Sequence, residues 1–309
     1  MKSVAIGFAL AVFVLVVFFA RSENYRFADG PDAHAYAADF VPDYVGAWIL
    51  RHGDRSRLYD PGYYEPLQHD RSVLGFEWDA AKIYPLLYPP FYYAALTPLA
   101  GFEYQRAAQL WAGVLVLCWL AAACLAVRGL GELRPSAAWL LPASVIFPPV
   151  AESLASGQKG TLLLLLFAGS FALWRRGHLL AAGVVFGLVA FKPQLGIAIG
   201  LLALWKREWR FAAGAGASVG ALLLLGAIAD PGFPVSWLAA MAAPASESAR
   251  YFHFVERNQC WFGFAELLLG IEHASAVAAL TAALDAVTIG CLLWLWRGPL
   301  RPETPRFAV

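Results

Sequence analysis

Apolar residues in this chain gather into long runs, not into the spaced stripes of a water-soluble helix. The runs cover residues 4–20, 107–127, 137–151, 161–174, 179–191, 195–205, 211–229 and 274–296. A straight membrane span takes about 20 apolar residues. Several of the runs are shorter, so they must tilt, break, or lie among other helices. Between them stand two polar stretches, residues 21–106 and 230–273. The pattern predicts an all-α polytopic membrane protein with about eight transmembrane helices.

Arginine and lysine give the direction of threading. With the N-terminus inside and each run crossing once, the inner face receives Lys2, Arg128, Arg134, Arg175, Arg176, Lys206, Arg207, Arg210, Arg297, Arg301 and Arg306. Only Glu132, Glu208 and Glu303 join them as acids. Short cytoplasmic loops rich in Arg and Lys are what the positive-inside rule expects. The expected layout is a first transmembrane helix at 4–20, an extracytoplasmic loop at 21–106 and a transmembrane core at 107–229. A second extracytoplasmic segment follows at 230–273, then a last span at 274–296 and a cytoplasmic tail at 297–309. No internal repeat or linker divides the chain, so one membrane domain in the cell (inner) membrane is expected. A secretory signal is the other reading of residues 4–20, but the apolar region is long and Phe18-Phe19-Ala20 matches a cleavage site poorly.

Parity constrains two segments further. Residues 88–102 cannot be a simple crossing, or every later basic loop would change sides. Pro89, Pro90 and Pro98 also spoil a continuous helix there. The segment is expected as a juxtamembrane helix rimmed by Tyr88, Tyr92 and Tyr93 as interfacial aromatics. Residues 179–205 keep Arg175-Arg176 and Lys206-Arg207 on one side only if they form two half-length helices broken at Lys192-Pro193. Twelve helical residues rise about 18 Å, short of a hydrocarbon core of about 30 Å. Lys192 then stops within the membrane, where an ammonium is costly unless it meets water or an anion. The plainer reading is a lysine that snorkels to a nearby interface. In the second polar stretch, residues 233–243 read as a short surface helix.

Composition agrees with the pattern. Charged residues make up 15% of the chain, against roughly 25% in soluble domains. The formal net charge of +1 and the lack of a basic, aromatic-laced tract leave no case for a nucleic-acid partner. Cys118, Cys124, Cys260 and Cys291 form no C-x-x-C pair and read as small core residues. The six histidines are scattered, which argues against a His/Cys metal site. G-x-G-x-x-G and Walker patterns are absent, so dinucleotide and ATPase chemistry lose their usual supports. No cofactor is expected.

The candidate chemistry lies in the first polar stretch. Asp39 and Asp43 are four residues apart and share a face if helical. Asp29 and Asp32 lie just upstream. Clustered, partly buried carboxylates can do general-base work, because neighbours and burial raise their pKa. Taken alone, several aspartates in an outer loop are more often a solvated face.

Four segments in order resemble one family. They are DFVPDYVGAWILRHGDRSRLYD (39–60), YPPFYYAALTPLAGFEYQRAAQLW (88–111), SGQKGTLLLLLFAG (156–169) and RRGHLLAAGVVFGLVAFKPQLGIAIGLLALWKREWR (175–210). The sequence is similar to the membrane mannosyltransferases of glycosyltransferase family 87, in the GT-C superfamily, over roughly residues 35–230. The resemblance implies a GT-C-like bundle whose large first extracytoplasmic loop carries juxtamembrane helices. It implies inverting transfer of a hexose, typically mannose, from a polyprenyl-phosphate sugar donor to a glycan or glycolipid acceptor. An aspartate of the first large loop serves as base, and Asp39 occupies that place. The leaving polyprenyl phosphate needs positive or dipolar partners more than a strong acid. Lys192 is the first candidate, helix-end donors at Gly157-Gln158-Lys159 follow, and Arg257 is a third. Gln158 reads equally well as a polar helix-packing residue. Asp43, Tyr59, Tyr88 and Trp261 are candidates for the sugar or lipid groove, beside Trp48, Asp60 and Phe262, though aromatics of this kind are more often structural. No metal is expected, with Asp43 as a ligand in the minority view. One departure stands out: family members usually continue with further membrane segments after the last run. A truncated, non-catalytic relative that binds or flips a polyprenyl lipid therefore remains an alternative. A transporter is a third, but it usually pairs two broken helices, and only one break is visible here.

Overall fold

The structure is a computed structural model that describes residues 2–21, 29–30, 35, 37–129, 135–242 and 260–297, and among these every regular element is a helix. By its contacts the chain divides into a larger unit, Met1–Ala242, and a smaller one, Ala243–Val309.

The larger unit opens with the apolar helix α1 (Lys2–Arg21). A single 3-10 turn, Ala38–Phe40, leads into α2 (Val41–His52). The short helices α3 (Pro61–Leu67), α4 (Arg71–Leu74) and α5 (Pro90–Leu96) follow. Then come α6 (Tyr104–Gly129), α7 (Ala137–Ile146), α8 (Pro148–Ser156) and α9 (Gly160–Arg175). The unit closes with α10 (Leu179–Gly187), α11 (Pro193–Trp205), α12 (Trp209–Ala229) and α13 (Val235–Met241). The smaller unit is a helical hairpin of α14 (Trp261–Leu269) and α15 (Ala274–Leu295).

Among the described residues four helices are long and apolar enough to cross a membrane, and a fifth span is available if α7 and α8 count as one. The remaining crossings expected from the sequence rest on three shorter apolar helices, Gly160–Arg175, Leu179–Phe191 and Pro193–Trp205. Residues 137–151, expected as one run, are bent by 51° between α7 and α8. Pro148 causes the bend: it forces Phe147 out of helical geometry (φ −59°, ψ 123°) and supplies no N–H to the preceding turn. The break at Lys192-Pro193 lies where the sequence put it. The chain tightens into a 3-10 turn at Leu188–Phe191 and Lys192 leaves helical geometry (φ −125°, ψ 72°). Pro193 then starts α11 in the first turn, where its missing N–H costs nothing.

Burial is distributed inside out. In α2, part of the polar loop, Val41 through Ala47 are all buried, as are Ile49 and Leu50. In the apolar α12, Leu224, Leu225 and Ile228 are more than half exposed. Lipid tails are as apolar as leucine, so apolar side chains gain nothing by hiding from them, whereas polar groups and irregular backbone must be satisfied within the protein. The same logic corrects the reading of residues 88–102. Tyr92 and Tyr93 are 5% and 0% exposed and belong to the core, not to an interfacial rim. The prolines hold α5 to seven residues, and Tyr93 packs flat on Gly46 of α2, where a Cβ would strike its ring. The Tyr93 hydroxyl also accepts the backbone N–H of Tyr88 (3.1 Å), and Tyr88 is half-buried. By contrast α13, expected as a surface helix, has no buried residue.

All four cysteines are free. The expectation of small core residues fits Cys118 but not Cys260 or Cys291, which are exposed.

The tightest helix contact joins α10 to α12 through glycines. A Cβ built on Gly183 would fall on the carbonyl oxygen of Phe211, and one on Gly214 would fall on that of Leu180. Small residues of this kind let membrane helices approach backbone to backbone. Gly183→Leu is therefore expected to cost about 1–3 kcal/mol through overpacking. Gly216→Leu, also on α12 but with open space at its Cβ, is expected to be neutral. Thermal unfolding of the two variants in detergent checks the contrast.

Candidate active site

The site is built around the turn between α8 and α9. Gly157 ends α8 in the left-handed region (φ 79°), and a Cβ there would crowd Ala37 and Phe40 at 3.2 Å. The Trp111 indole donates to the Gly157 carbonyl (2.8 Å), and the Ser153 hydroxyl donates to that of Gln158 (2.8 Å). The turn therefore presents Gln158 and Lys159 in fixed directions. Opposite it, Ala37 holds a left-handed conformation (φ 48°), unusual for a residue with a Cβ. Its carbonyl accepts from the Tyr104 hydroxyl (3.1 Å) and from the Phe40 N–H (2.8 Å). That closes the 3-10 turn carrying Asp39 and aims α2, which carries Asp43.

Two neighbouring side chains of the turn then take one carboxylate each. The Gln158 amide donates to Asp39 Oδ2 (2.7 Å). The Lys159 ammonium lies 2.7 Å from Asp43 Oδ2. Asp39 remains half-buried, and no further hydrogen bond reaches it among the described residues. Asp43 is fully buried, and the Tyr92 hydroxyl also donates to its Oδ2 (2.9 Å). Its Oδ1 has no partner among the described residues.

The charges of this buried group are balanced against desolvation. Burial pushes the Asp43 carboxyl above the usual carboxylate range; Lys159 and Tyr92 pull it back, and the nearby Asp39 adds to the rise. Burial works against the Lys159 ammonium, but the Asp43 carboxylate and Tyr88 outweigh it and hold its pKa above the ordinary lysine value. Burial keeps the Tyr92 and Tyr93 hydroxyls protonated well beyond a normal tyrosine, so Tyr92 stays a donor. Aromatic rings complete the enclosure. Lys159 Nζ sits 4.2 Å from the centre of the Tyr88 ring and 5.6 Å from that of Tyr92. Phe191 stacks on Tyr92 at 5.3 Å.

Tyr88 also faces the second lysine. Lys192, half-buried at the break before α11, has its ammonium 5.8 Å from the Tyr88 ring centre, within cation–π range. No carboxylate of the described residues lies within ion-pair distance of Lys192. Tyr59 donates its hydroxyl to the Tyr88 carbonyl (2.7 Å), and burial raises its pKa far above the ordinary value.

Of the residues picked from sequence, Asp39, Asp43, Gln158, Lys192, Tyr59 and Tyr88 thus meet in one cluster of the larger unit. Trp261 lies in the smaller unit, where its indole donates to Thr288 Oγ1 (2.9 Å). Arg257 and Asp32 fall outside the described residues. The other loop aspartates are structural. Asp29 pairs with Arg71 (2.7 Å); Asp60 pairs with Arg57 (2.7 Å) and caps α3 through the Gly62 N–H (3.0 Å). Among the described residues no three His, Cys, Asp or Glu are grouped to hold a metal ion, and a lysine ammonium lies against the Asp43 oxygen considered for one.

Two members of the cluster were under-read from sequence. Lys159 stood only as part of a helix end, and Tyr92 as an interfacial aromatic. The signal for Lys159 was the one that marked Lys192: a lone ammonium opening an apolar helix after an irregular residue. Both lysines are the residue before their helix, and neither helix has a side-chain cap.

Compared with known families, residues 86–309 match the model of glycosyltransferase family 87. The match takes in Tyr88, Gln158, Lys159 and Lys192 and begins after Asp39 and Asp43. No curated protein and no solved structure matches the chain.

Breaking a buried pair by removing one partner costs about 3–5 kcal/mol, whereas replacing both partners with apolar residues of similar volume is often neutral. Lys159→Met is accordingly expected to lower the unfolding midpoint in detergent sharply. Asp43→Leu combined with Lys159→Met is expected to recover most of that loss.

Proposed function

The chain belongs to glycosyltransferase family 87, and from that premise we propose that it transfers a hexose, mannose, from a polyprenyl-phosphate donor to an acceptor hydroxyl at the extracytoplasmic membrane face. Asp39 is the general base. Its Oδ1 takes the acceptor proton while the acceptor oxygen attacks the anomeric carbon. The bond from that carbon to the phosphate oxygen breaks on the opposite side, which inverts the centre. The electron pair leaves with the polyprenyl phosphate, whose added negative charge falls to Lys192. Gln158, expected among the phosphate donors, is assigned instead to orienting the base, because its amide already donates to Asp39 Oδ2. The observation that carries the reading is the convergence on the Tyr88 cluster of a half-exposed carboxylate and an ammonium with no carboxylate partner among the described residues. A base for the acceptor and a cation for the leaving phosphate are the two groups that such a displacement needs.

The threading that suits this reading has the N-terminus in the cytoplasm, eight crossings, and the aspartate-bearing loop outside. The basic loops at Arg175-Arg176 and Lys206-Arg207 support it.

Asp39→Asn is expected to lower transfer by at least about 100-fold, the low end of what a general base contributes, with membrane insertion unchanged. Retained transfer in that variant would remove Asp39 from the mechanism. Donor binding without turnover in the parent chain would favour a lipid-binding relative over an enzyme. Lys192→Met is expected to lower kcat by about 100-fold, as loss of one charge-stabilising donor does. In a cysteine-free background on intact cells, Ser56→Cys is expected to react with a membrane-impermeant maleimide and Arg176→Cys is not. The reverse labelling would overturn the threading.

A further inference from the structure

We propose that the buried Lys159–Asp43 pair is the positioning device of the transfer reaction: it clamps the α8–α9 turn to α2 so that the Gln158 amide holds Asp39 in its working orientation. The proposal rests on Asp39 being the base. Neither member of the pair reaches a reacting atom. Lys159 is 3% exposed, with its ammonium against Asp43 and under the Tyr88 ring. Asp43 is 0% exposed. Both act through their neighbours. Lys159 shares a planar peptide with Gln158, so a displacement of one moves the other. Asp43 sits one helical turn beyond Asp39. The clamp and the catalytic hydrogen bond therefore join the same two segments, side by side.

Stability gives no reason for such a pair, because apolar residues of the same volume would serve the fold equally well. Geometry does give one. An ammonium and a carboxylate with no water to turn to have a single low-energy arrangement, whereas an apolar contact tolerates sliding. Misplacing a catalytic group by about 1 Å can cost on the order of 100-fold in rate. The clamp also reaches the phosphate side. The Tyr88 ring over which Lys159 sits is the ring that Lys192 faces, so the base and the cation are referred to one fixed point.

The test uses the full chain in membranes, with radiolabelled polyprenyl-phosphate mannose as donor probe and label entering membrane products as readout. Asp43→Leu/Lys159→Met, which keeps the fold and deletes the clamp, is expected to lower kcat about 100-fold and leave the donor KM within about threefold, the signature of a lost transition-state placement. Gln158→Ala is expected to lower kcat with the same small change in KM, and adding it to the apolar pair is expected to cost nothing more. A native kcat in the apolar pair overturns the proposal, because the ion pair would then be structural only. Losses that multiply also overturn it, because the two contacts would then act separately. A donor KM raised tenfold or more overturns it in favour of direct phosphate binding by Lys159. Should the apolar pair not accumulate, Lys159→Arg keeps the charge, lengthens the reach, and enters the same cycle with Gln158→Ala with the same expected non-additivity. Asp39→Asn separates the two readings: a dead Asp39→Asn with multiplying losses removes the clamp alone, while an active Asp39→Asn removes the base and the clamp together.

Discussion

Two opposite charges 2.7 Å apart, both withdrawn from solvent, constrain what surrounds them. A buried carboxylate and a buried ammonium are each costly, and their attraction offsets that cost only when geometry and further hydrogen bonds are right. The Tyr92 hydroxyl and the faces of Tyr88 and Tyr92 supply the rest of the enclosure around Asp43 and Lys159. That need explains why α5 is buried although its sequence suggests a membrane surface. It also explains why α2, cut from the polar loop, is the most enclosed helix of the larger unit. The Gly157 turn, held by Trp111 and Ser153, brings Lys159 to the pair.

The architecture is accordingly polar and aromatic within and aliphatic without. Within the larger unit a long apolar helix such as α12 leaves its leucines exposed, where lipid is as good a solvent as a protein core. What must be packed inside is everything lipid cannot solvate: carboxylates, ammonium groups, tyrosine hydroxyls, and backbone freed by proline and glycine. The clustered polar groups thereby share one small region with the irregular backbone. Asp39 leaves a strained 3-10 turn, Gln158 and Lys159 leave a left-handed glycine, and Lys192 leaves a broken helix.

This arrangement bears on family membership. The stretch that matches glycosyltransferase family 87, residues 86–309, holds the lysines, Gln158 and Tyr88. The aspartates lie upstream of it. The structure connects the two parts by the adjacent contacts of Gln158 with Asp39 and of Lys159 with Asp43, across 119 residues of sequence in the first case.

The sequence alone determined the helical membrane class, the break at Lys192-Pro193, and the short helix after Asp230, because these follow from local properties: run length, proline chemistry and composition. It also singled out Asp39, Gln158 and Lys192, by ordered resemblance in the first two cases and by an ammonium placed within an apolar stretch in the third. Only the tertiary structure decided which of the two carboxylates meets a cation. Asp39 and Asp43 look alike on paper, four residues apart on one face. One keeps contact with solvent and takes an amide; the other is sealed beneath tyrosines and takes an ammonium. That difference comes from where α5 and the α8–α9 turn pack against α2, and packing between segments 49 and 119 residues apart leaves no periodic trace in any of them. The 51° bend at Phe147-Pro148 had a local cause, but its consequence did not: what it positions is the turn that holds both aspartates.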